Sequence, residues 1–541
     1  MTSDRVMHPA VAADQIVPHD LRLGDTLRRQ RRERPDATLC ETPSRRWTFA
    51  DADAFCNRVA QGLRGLGIGT GHRIACLTRH GAECTMLTVA AARVGAVCAP
   101  LNWRLAPPEI EYVLGHSEAQ FLFCDREFLP ALQGRRFEHL RLVVTDAAGD
   151  AHPALHDWAA GFESTDPQAD AAPDAPTLQL YSSGTTGLPK GVEISSRNLL
   201  IACRAYARIY RIDAGTVMLN ALPSFHIAGV ENSLTTLIEG GRTVHHLAFD
   251  PGATLQTIAR ERITHLFLVP AMMIFMLQHP AAAQADFSSL AMVSYGGSPI
   301  AEATLAEAKA RFRCGLLQVY GMTEATGPIT WLLDEDHDIG GPRAQLLRSA
   351  GTPSAGVEVR VVDPADPRHP RDCAEGEVGE VWVRTRQNML GYWRNPEATA
   401  TAFPLGRDEQ GGWLRTGDAG YQRDGYLYIH DRIKDMIISG GENIYPAEIE
   451  NTMSSHPAVA EVAVIGVPDA RWGEAVKACV VLRAGHALEP AELIAWTRER
   501  LAHYKCPKSV DLVATLPRNP SGKLLKRVLR APYWDAQGRQ V

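Results

Sequence analysis

A chain of 541 residues, 45 % hydrophobic and 22 % charged, with a formal net charge of −6, has the composition of a globular protein of three or four domain-sized units. The negative balance argues against nucleic acid as the main partner. The 11 cysteines are scattered, with no CxxC pair, which excludes a disulfide framework or zinc site and suits reduced thiols in a cytoplasm.

Residues 1–20 lack an apolar core followed by a cleavage site, so no secretory leader is expected. From about Arg73 strand-like and helix-like segments alternate. "HRIACL" (72–77) reads as a strand, "AECTMLTVAAARVG" (82–95) as a helix ending at a glycine, and "AVCAPL" (96–101) as the next strand. Residues 165–176, rich in Asp, Ala and Pro, read as a surface connector. "THLFLVP" (264–270), "LAMVSYGG" (290–297) and "GLLQVYG" (315–321) are short apolar strands ending in turn residues. The longest apolar run, residues 266–277, carries Pro270 and is too short for a bilayer, which takes roughly 20 residues. This alternation predicts an α/β fold with parallel sheets flanked by helices, and ligands gathered beyond the strand C-termini.

Near Val357 the texture changes to "VEVRVV", "GEVWVR" and "GYLYIHD", antiparallel strands with a turn at Asp424-Gly425. The last 110 or so residues read as a compact α+β unit. Its helices are predicted over 446–457 and 490–504, and its strands over 459–469 and 474–482.

Three segments carry chemistry. "YSSGTTGLPKGV" (181–192) is not a Walker loop, because Pro189 precedes Lys190 and the flanks "TLQLY" and "VEIS" are strands. Gly184 and Gly187 let the backbone approach an anion. Ser182, Ser183, Thr185 and Thr186 add hydroxyl donors, and Lys190 adds a point charge. A polyphosphate chain fits that inventory. "YGMTEATG" (320–327) puts an aromatic face, Tyr320, and a carboxylate, Glu324, at a strand end, suited to adenine stacking and to Mg²⁺ against phosphate oxygens. "RTGD" (415–418) offers Asp418 as an acceptor for ribose hydroxyls.

With "DRIKDMIISGGENIYPAEIE" (431–450) and "PRNPSGKLLKR" (517–527) added, the chain resembles the adenylate-forming (AMP-binding) superfamily, and within it bacterial fatty-acyl and aryl-acid CoA ligases. "WTFADADAFCNRVAQGL", "GAVCAPLN", "GYWRNPEATA" and "PDARWGE" extend the resemblance over nearly the whole chain. It implies a large N-terminal domain, residues 1–431, of two doubly wound sheets plus a β-rich subdomain. A small mobile α+β domain, residues 432–541, would follow.

The implied activity joins a carboxylic acid to coenzyme A through an acyl-adenylate, with release of AMP and pyrophosphate. ATP, Mg²⁺ and coenzyme A take part, and the alternative is loading of a carrier protein. By motif position Lys523 is the implied catalytic lysine, and Thr186 and Glu324 hold Mg²⁺. Gly296, Gly297 and Ser298 line the adenine and acyl sites, with Gly321, Met322 and Thr323 beside Tyr320. Asp418 and Arg432 hold the ribose. Lys434 is the hinge, and Gly440 and Gly441 line the pantetheine tunnel. His226 in "LPSFHIAGV" is the gate between acyl pocket and tunnel, and Trp472, Tyr504 and Lys508 match positions that touch coenzyme A. The substrate is expected to be a fatty or aromatic acid. The basic stretch from Arg518 to Arg530 is expected to meet solvent or phosphates, with peripheral membrane contact as a further possibility.

Overall fold

The computed structural model describes residues 17–79, 81–133, 140–144, 152–182, 188–298, 300–439, 442–469, 471–518 and 524–534. Contacts divide it into two compact units. One holds Val383–Leu414 and everything up to Val359, and the other holds Arg360–Trp382 and Arg415 onward.

Two large sheets organise the first unit. The seven-stranded sheet has Arg73–Leu77, Val97–Pro100, Phe121–Cys124, Arg141–Val144 and Pro176–Ser182 in parallel, then Lys190–Ser195 and Gly391–Tyr392 antiparallel at one edge. The nine-stranded sheet runs Thr352–Pro353, Gly327–Leu332, Gly315–Met322, Met292–Gly296, His265–Leu268, Val217–Asn220, Arg242–His245, Thr38–Glu41, Arg46–Thr48. Its centre is parallel and both of its ends are antiparallel. The expectation of parallel sheets thus holds for the centres alone. Strands joined by a few residues must pair antiparallel, because a parallel return needs a crossover, and both ligand motifs sit in such short returns.

The helix Gly81–Ala92 shows why the sheets belong together. It is mostly apolar, with Glu83 and Thr88 buried too, and it is buried at nearly every position, the pattern of a helix with no water-facing side. It packs on Val97–Pro100 of one sheet and on the helix Ile227–Glu239, which covers Val217–Asn220 of the other. Met86, Leu87 and Val89 contribute roughly 1.5–3 kcal/mol each by burial. Just past this helix the guanidinium of Arg93, wholly buried, pairs with Asp53 at 2.6 Å and ties it to the helix Phe49–Gly65.

The strand Trp413–Arg423, which lies in the second unit from Arg415 on, forms a hairpin with Tyr426–Arg432 turning at Asp424-Gly425, as expected, with Tyr421 and Tyr428 stacked at 4.8 Å. Further on, Val459–Asp469 and Gly473–Leu482 pair antiparallel, joined by Ile437–Ser439, Glu442–Ile444 and Ser509–Leu512. The helix predicted over 446–457 covers Pro446–Ser454. The one predicted over 490–504 stops at Arg498. Beyond it the Arg500 and Leu501 N–H groups turn back onto the Thr497 carbonyl, and Lys505 is held by Glu448 at 2.8 Å. Among the described residues no helix is long and apolar enough to cross a membrane.

Candidate active site

Pro176–Ser182 and Lys190–Ser195 form a hairpin in which Ser182 lies opposite Lys190. The described ends of the glycine- and hydroxyl-rich motif therefore face each other across a two-stranded ribbon, with a donor at each foot. Ser183, Gly184, Thr185, Thr186 and Gly187 lie outside the described residues. The second motif ends the strand Gly315–Met322, makes one 3₁₀ turn at Thr323–Ala325 and returns as Gly327–Leu332. The reversal uses left-handed backbone at Thr326 (φ 54°) and Gly327 (φ 114°), the second of which suits glycine.

This turn buries Glu324 beside the foot of the hairpin. Its Oε1 accepts hydrogen bonds from the Ser182 hydroxyl at 2.9 Å and the Tyr392 hydroxyl at 3.1 Å. Its backbone carbonyl accepts from the Met389 N–H at 2.8 Å. The Lys190 ammonium stands 5.0 Å from the centre of the Tyr392 ring, within cation–π range. Both side-chain bonds fall on Oε1, and among the described residues Oε2 carries none and no cation pairs with the group. A buried acid without a cation is costly. A hard divalent cation takes oxygen ligands, and Mg²⁺ uses one or two carboxylates together with substrate phosphates. Glu324 fits that demand. Tyr392 is the residue that motif reasoning missed, although it stands inside "GYWRNPEATA".

Met292–Gly296 and Gly315–Met322 are parallel neighbours, with Gly296 opposite Val319. Gly297, Ser298, Tyr320, Gly321, Met322 and Thr323 therefore gather at one end of adjacent strands, as the open-sheet rule requires. Gly296 is needed for close packing, since a Cβ there would lie 2.3 Å from the Val319 carbonyl oxygen. Gly297 is needed for its backbone, at φ +83°. Gly297 and Ser298 are exposed and Tyr320 is half-buried.

His226 caps the helix Ile227–Glu239, packs on Phe225 with ring centres 4.5 Å apart, and leaves Nε2 buried without a hydrogen-bond partner. Burial, aided by the Arg104 charge, pushes its pKa down to about 4. The ring is therefore neutral through the physiological range, and it can act as an aromatic wall rather than as a charge.

In the second unit Asp418 is buried, its N–H donates to the Thr416 hydroxyl at 3.0 Å, and it sits opposite Arg432 in the hairpin register. Arg415 of the same motif is engaged by Glu380 at 2.9 Å. Lys434 falls in the 3₁₀ turn Ile433–Asp435. Trp472 is 43 % exposed and its ring is covered by the Arg471 guanidinium at 4.7 Å. Tyr504 and Lys508 are exposed. Cys506 is buried, its thiol bonded to the Ala502 carbonyl at 3.4 Å and pushed up in pKa by burial, so it is no nucleophile. Lys523, Gly440 and Gly441 lie outside the described residues.

The chain matches the AMP-binding enzyme family over residues 27–393 and the AMP-binding enzyme C-terminal domain over residues 448–523. It belongs to that family. The protein is thus an AMP-forming ligase that draws on ATP, Mg²⁺ and a thiol, with the mixed α/β architecture expected of such enzymes. It is 39 % identical over 516 residues to a feruloyl-CoA synthase of Amycolatopsis sp, covering 94 % of this chain and 99 % of that one. It is 38 % identical over 511 residues to the fatty acid–[acyl-carrier-protein] ligase ScoC of Streptomyces coeruleorubidus, covering 93 % and 95 %. The crystal structure of ATP-bound MatB from Rhodopseudomonas palustris superposes with a TM-score of 0.85 at 31 % identity, over 95 % of this chain and all of that one.

Proposed function

We propose that the protein joins a fatty or aromatic carboxylic acid to coenzyme A, by way of an acyl-adenylate. A carboxylate is a poor electrophile, because its leaving group would be an oxide. In the first half-reaction a carboxylate oxygen attacks the α-phosphorus of ATP and the bond to pyrophosphate breaks. In the second the thiol sulfur attacks the acyl carbon, the bond to AMP breaks, and the thiol proton passes to solvent. The barrier of the first step is the approach of one anion to another, so the site must supply oriented donors and positive charge.

The observation that carries this reading is the Ser182–Glu324–Tyr392 cluster with Lys190 beside it: a buried acid with one oxygen fixed by two hydroxyls and the other open. Glu324, with Thr186, would hold Mg²⁺, which when bound offsets phosphate charge. Ser182, Lys190 and the loop between them would hold the phosphates, and Tyr320 with Gly297 and Ser298 the adenine. Asp418 and Arg432 would hold the ribose.

Residues 432–541 would act as a mobile lid on a hinge at Lys434, presenting Lys523 for adenylation and Gly440 and Gly441 for thioester formation. Trp472, Tyr504 and Lys508 would meet coenzyme A, and His226 would wall the passage to the acyl group. The cysteines are free thiols, all but Cys373 buried, which supports the cytoplasm as the working compartment.

A panel of acids with ATP, Mg²⁺ and coenzyme A tests the reading, with AMP and thioester measured separately. Acid-dependent AMP and thioester in equal amounts are expected. Acid-dependent pyrophosphate release without acyl-CoA, relieved by a carrier protein, would favour carrier loading, the activity named for the Streptomyces coeruleorubidus relative. No acid-dependent release at all would overturn both.

A further inference from the structure

The helix Ile227–Glu239 starts at His226 and presents Ala228, Glu231, Asn232 and Thr235 along one face, at the spacing of i, i+3, i+4 and i+7. Three of those four are polar, although the helix is buried from Gly229 to Ile238. Asn232 is accounted for: its amide donates to the Ala228 carbonyl at 2.8 Å, and its Oδ1 accepts from the Tyr206 hydroxyl at 3.3 Å. Tyr206 also bonds Ser294 at 2.8 Å. Glu231 is not accounted for. It is 3 % exposed, its Oε1 has no hydrogen-bond partner, and among the described residues no cation faces it. Trp331 Nε1 is buried and, among the described residues, unpartnered as well, and the Trp331 ring lies stacked on Tyr206 at 5.7 Å.

The carboxyl sits against the end of the second motif. A Cβ on Gly327 would lie 2.8 Å from Glu231 Oε2 and 3.0 Å from Oε1. Gly327 is three residues beyond Glu324, and His226 is five residues before Glu231. Glu231 therefore stands on the helix that begins after His226, the implied gate of the acyl pocket, and against the turn that carries Glu324. A buried polar atom left unpaired is destabilising. The Glu231 carboxyl takes the space that a Cβ on Gly327 would fill, and its unmet hydrogen-bonding capacity is left for a group that this chain does not supply.

We propose that Glu231 is a specificity residue, and that its carboxyl hydrogen-bonds a neutral polar group, a hydroxyl or carbonyl, carried on the acyl portion of the acid far from its carboxylate. The inference rests on the ligase reading above. Burial drives the Glu231 pKa well above the usual carboxylate range, which favours the protonated form, with one donor and one acceptor. A hydroxyl on the substrate satisfies both, and an unsubstituted hydrocarbon chain satisfies neither. A site built around a polar contact rejects the analogue that lacks it far more strongly than an apolar pocket rejects an extra hydroxyl.

The test uses acids matched but for one group: octanoic against omega-hydroxyoctanoic acid, and cinnamic against para-hydroxycinnamic acid. kcat/KM for AMP release is measured with the wild-type chain and with Glu231→Met and Glu231→Gln. The wild type is expected to favour the hydroxylated member of at least one pair by roughly 10⁴-fold. Glu231→Met should bring that ratio to within about tenfold, and Glu231→Gln, which still donates and accepts, should keep most of it. Equal or better use of the unsubstituted member of both pairs by the wild type would overturn the proposal without needing any variant. A preference that Glu231→Met leaves unchanged would overturn it too. AMP release with some acid but no polar preference separates this failure from failure of the ligase reading, in which no acid releases AMP.

Discussion

Replacing Tyr392 by phenylalanine removes one of the two side-chain hydrogen bonds that aim Glu324, and leaves the ring under Lys190 in place. A hydrogen bond to an ionisable group contributes about 1.5–3 kcal/mol. The Tyr392 bond is 3.1 Å long, beyond the usual 2.5–3.0 Å for O–H···O, and Ser182 still holds the same oxygen at 2.9 Å. The lower end therefore applies, about 1.5 kcal/mol, or roughly tenfold in an equilibrium or rate constant. Because Glu324 is assigned to Mg²⁺, the loss should appear as a weaker response to the ion. Acid-dependent exchange of pyrophosphate into ATP, followed across a magnesium titration, should show the half-saturating concentration raised about tenfold, with the melting temperature moved by only a few degrees. Glu324→Gln in the same assay should lose about 10²–10³ in rate even at saturating magnesium. An unchanged magnesium response in Tyr392→Phe, with Glu324→Gln severely impaired, would refute the claim that the Tyr392 hydroxyl positions this carboxylate.

Lys523→Ala should lose adenylation, on the order of 10²–10³ in rate, yet still make thioester from supplied acyl-adenylate; equal loss in both half-reactions would remove its assigned role. His226, His245 and His265 each have a pKa lowered by burial to about 4, against about 6.5 in the unfolded chain. Below about pH 6.5 the unfolded state takes up protons first, so stability is full above that pH and falls towards pH 4, by up to about 3 kcal/mol per histidine. Urea midpoints that stay flat over this interval would contradict their neutral burial. Glu231 runs the opposite way: its raised pKa makes stability fall as pH rises above the unfolded value of about 4.5. Glu231→Gln should flatten the fall in melting temperature as pH rises above about 5, and an unchanged slope would show that burial does not favour the protonated acid. Asp53→Ala should cost about 3–5 kcal/mol by stranding the buried Arg93 guanidinium, which chemical denaturation would read directly.

The strands flanking Ser182 and Lys190, the strand ends at Gly297 and Tyr320, and the Asp424-Gly425 turn were legible in the sequence because each is a local pattern. Glycines, hydroxyl residues and period-two apolar runs act over a few residues, and their spacing is printed in the chain. Residue type also marked Glu324 and Lys190 as groups for a phosphate or its cation. What the chain order could not reveal was company. Tyr392 reaches Glu324 across 68 residues and Ser182 reaches it across 142. Such contacts depend on how sheet edges are ordered, and antiparallel edge strands arise from short returns that the helix–strand alternation does not register. Glu231 is the sharpest case. In the sequence it is one acid among many, and on composition alone a solvated surface residue. Only the packing of its helix against Tyr206, Gly327 and Trp331 takes it out of water, and removal from water turns an ordinary glutamate into an uncommitted hydrogen-bonding group.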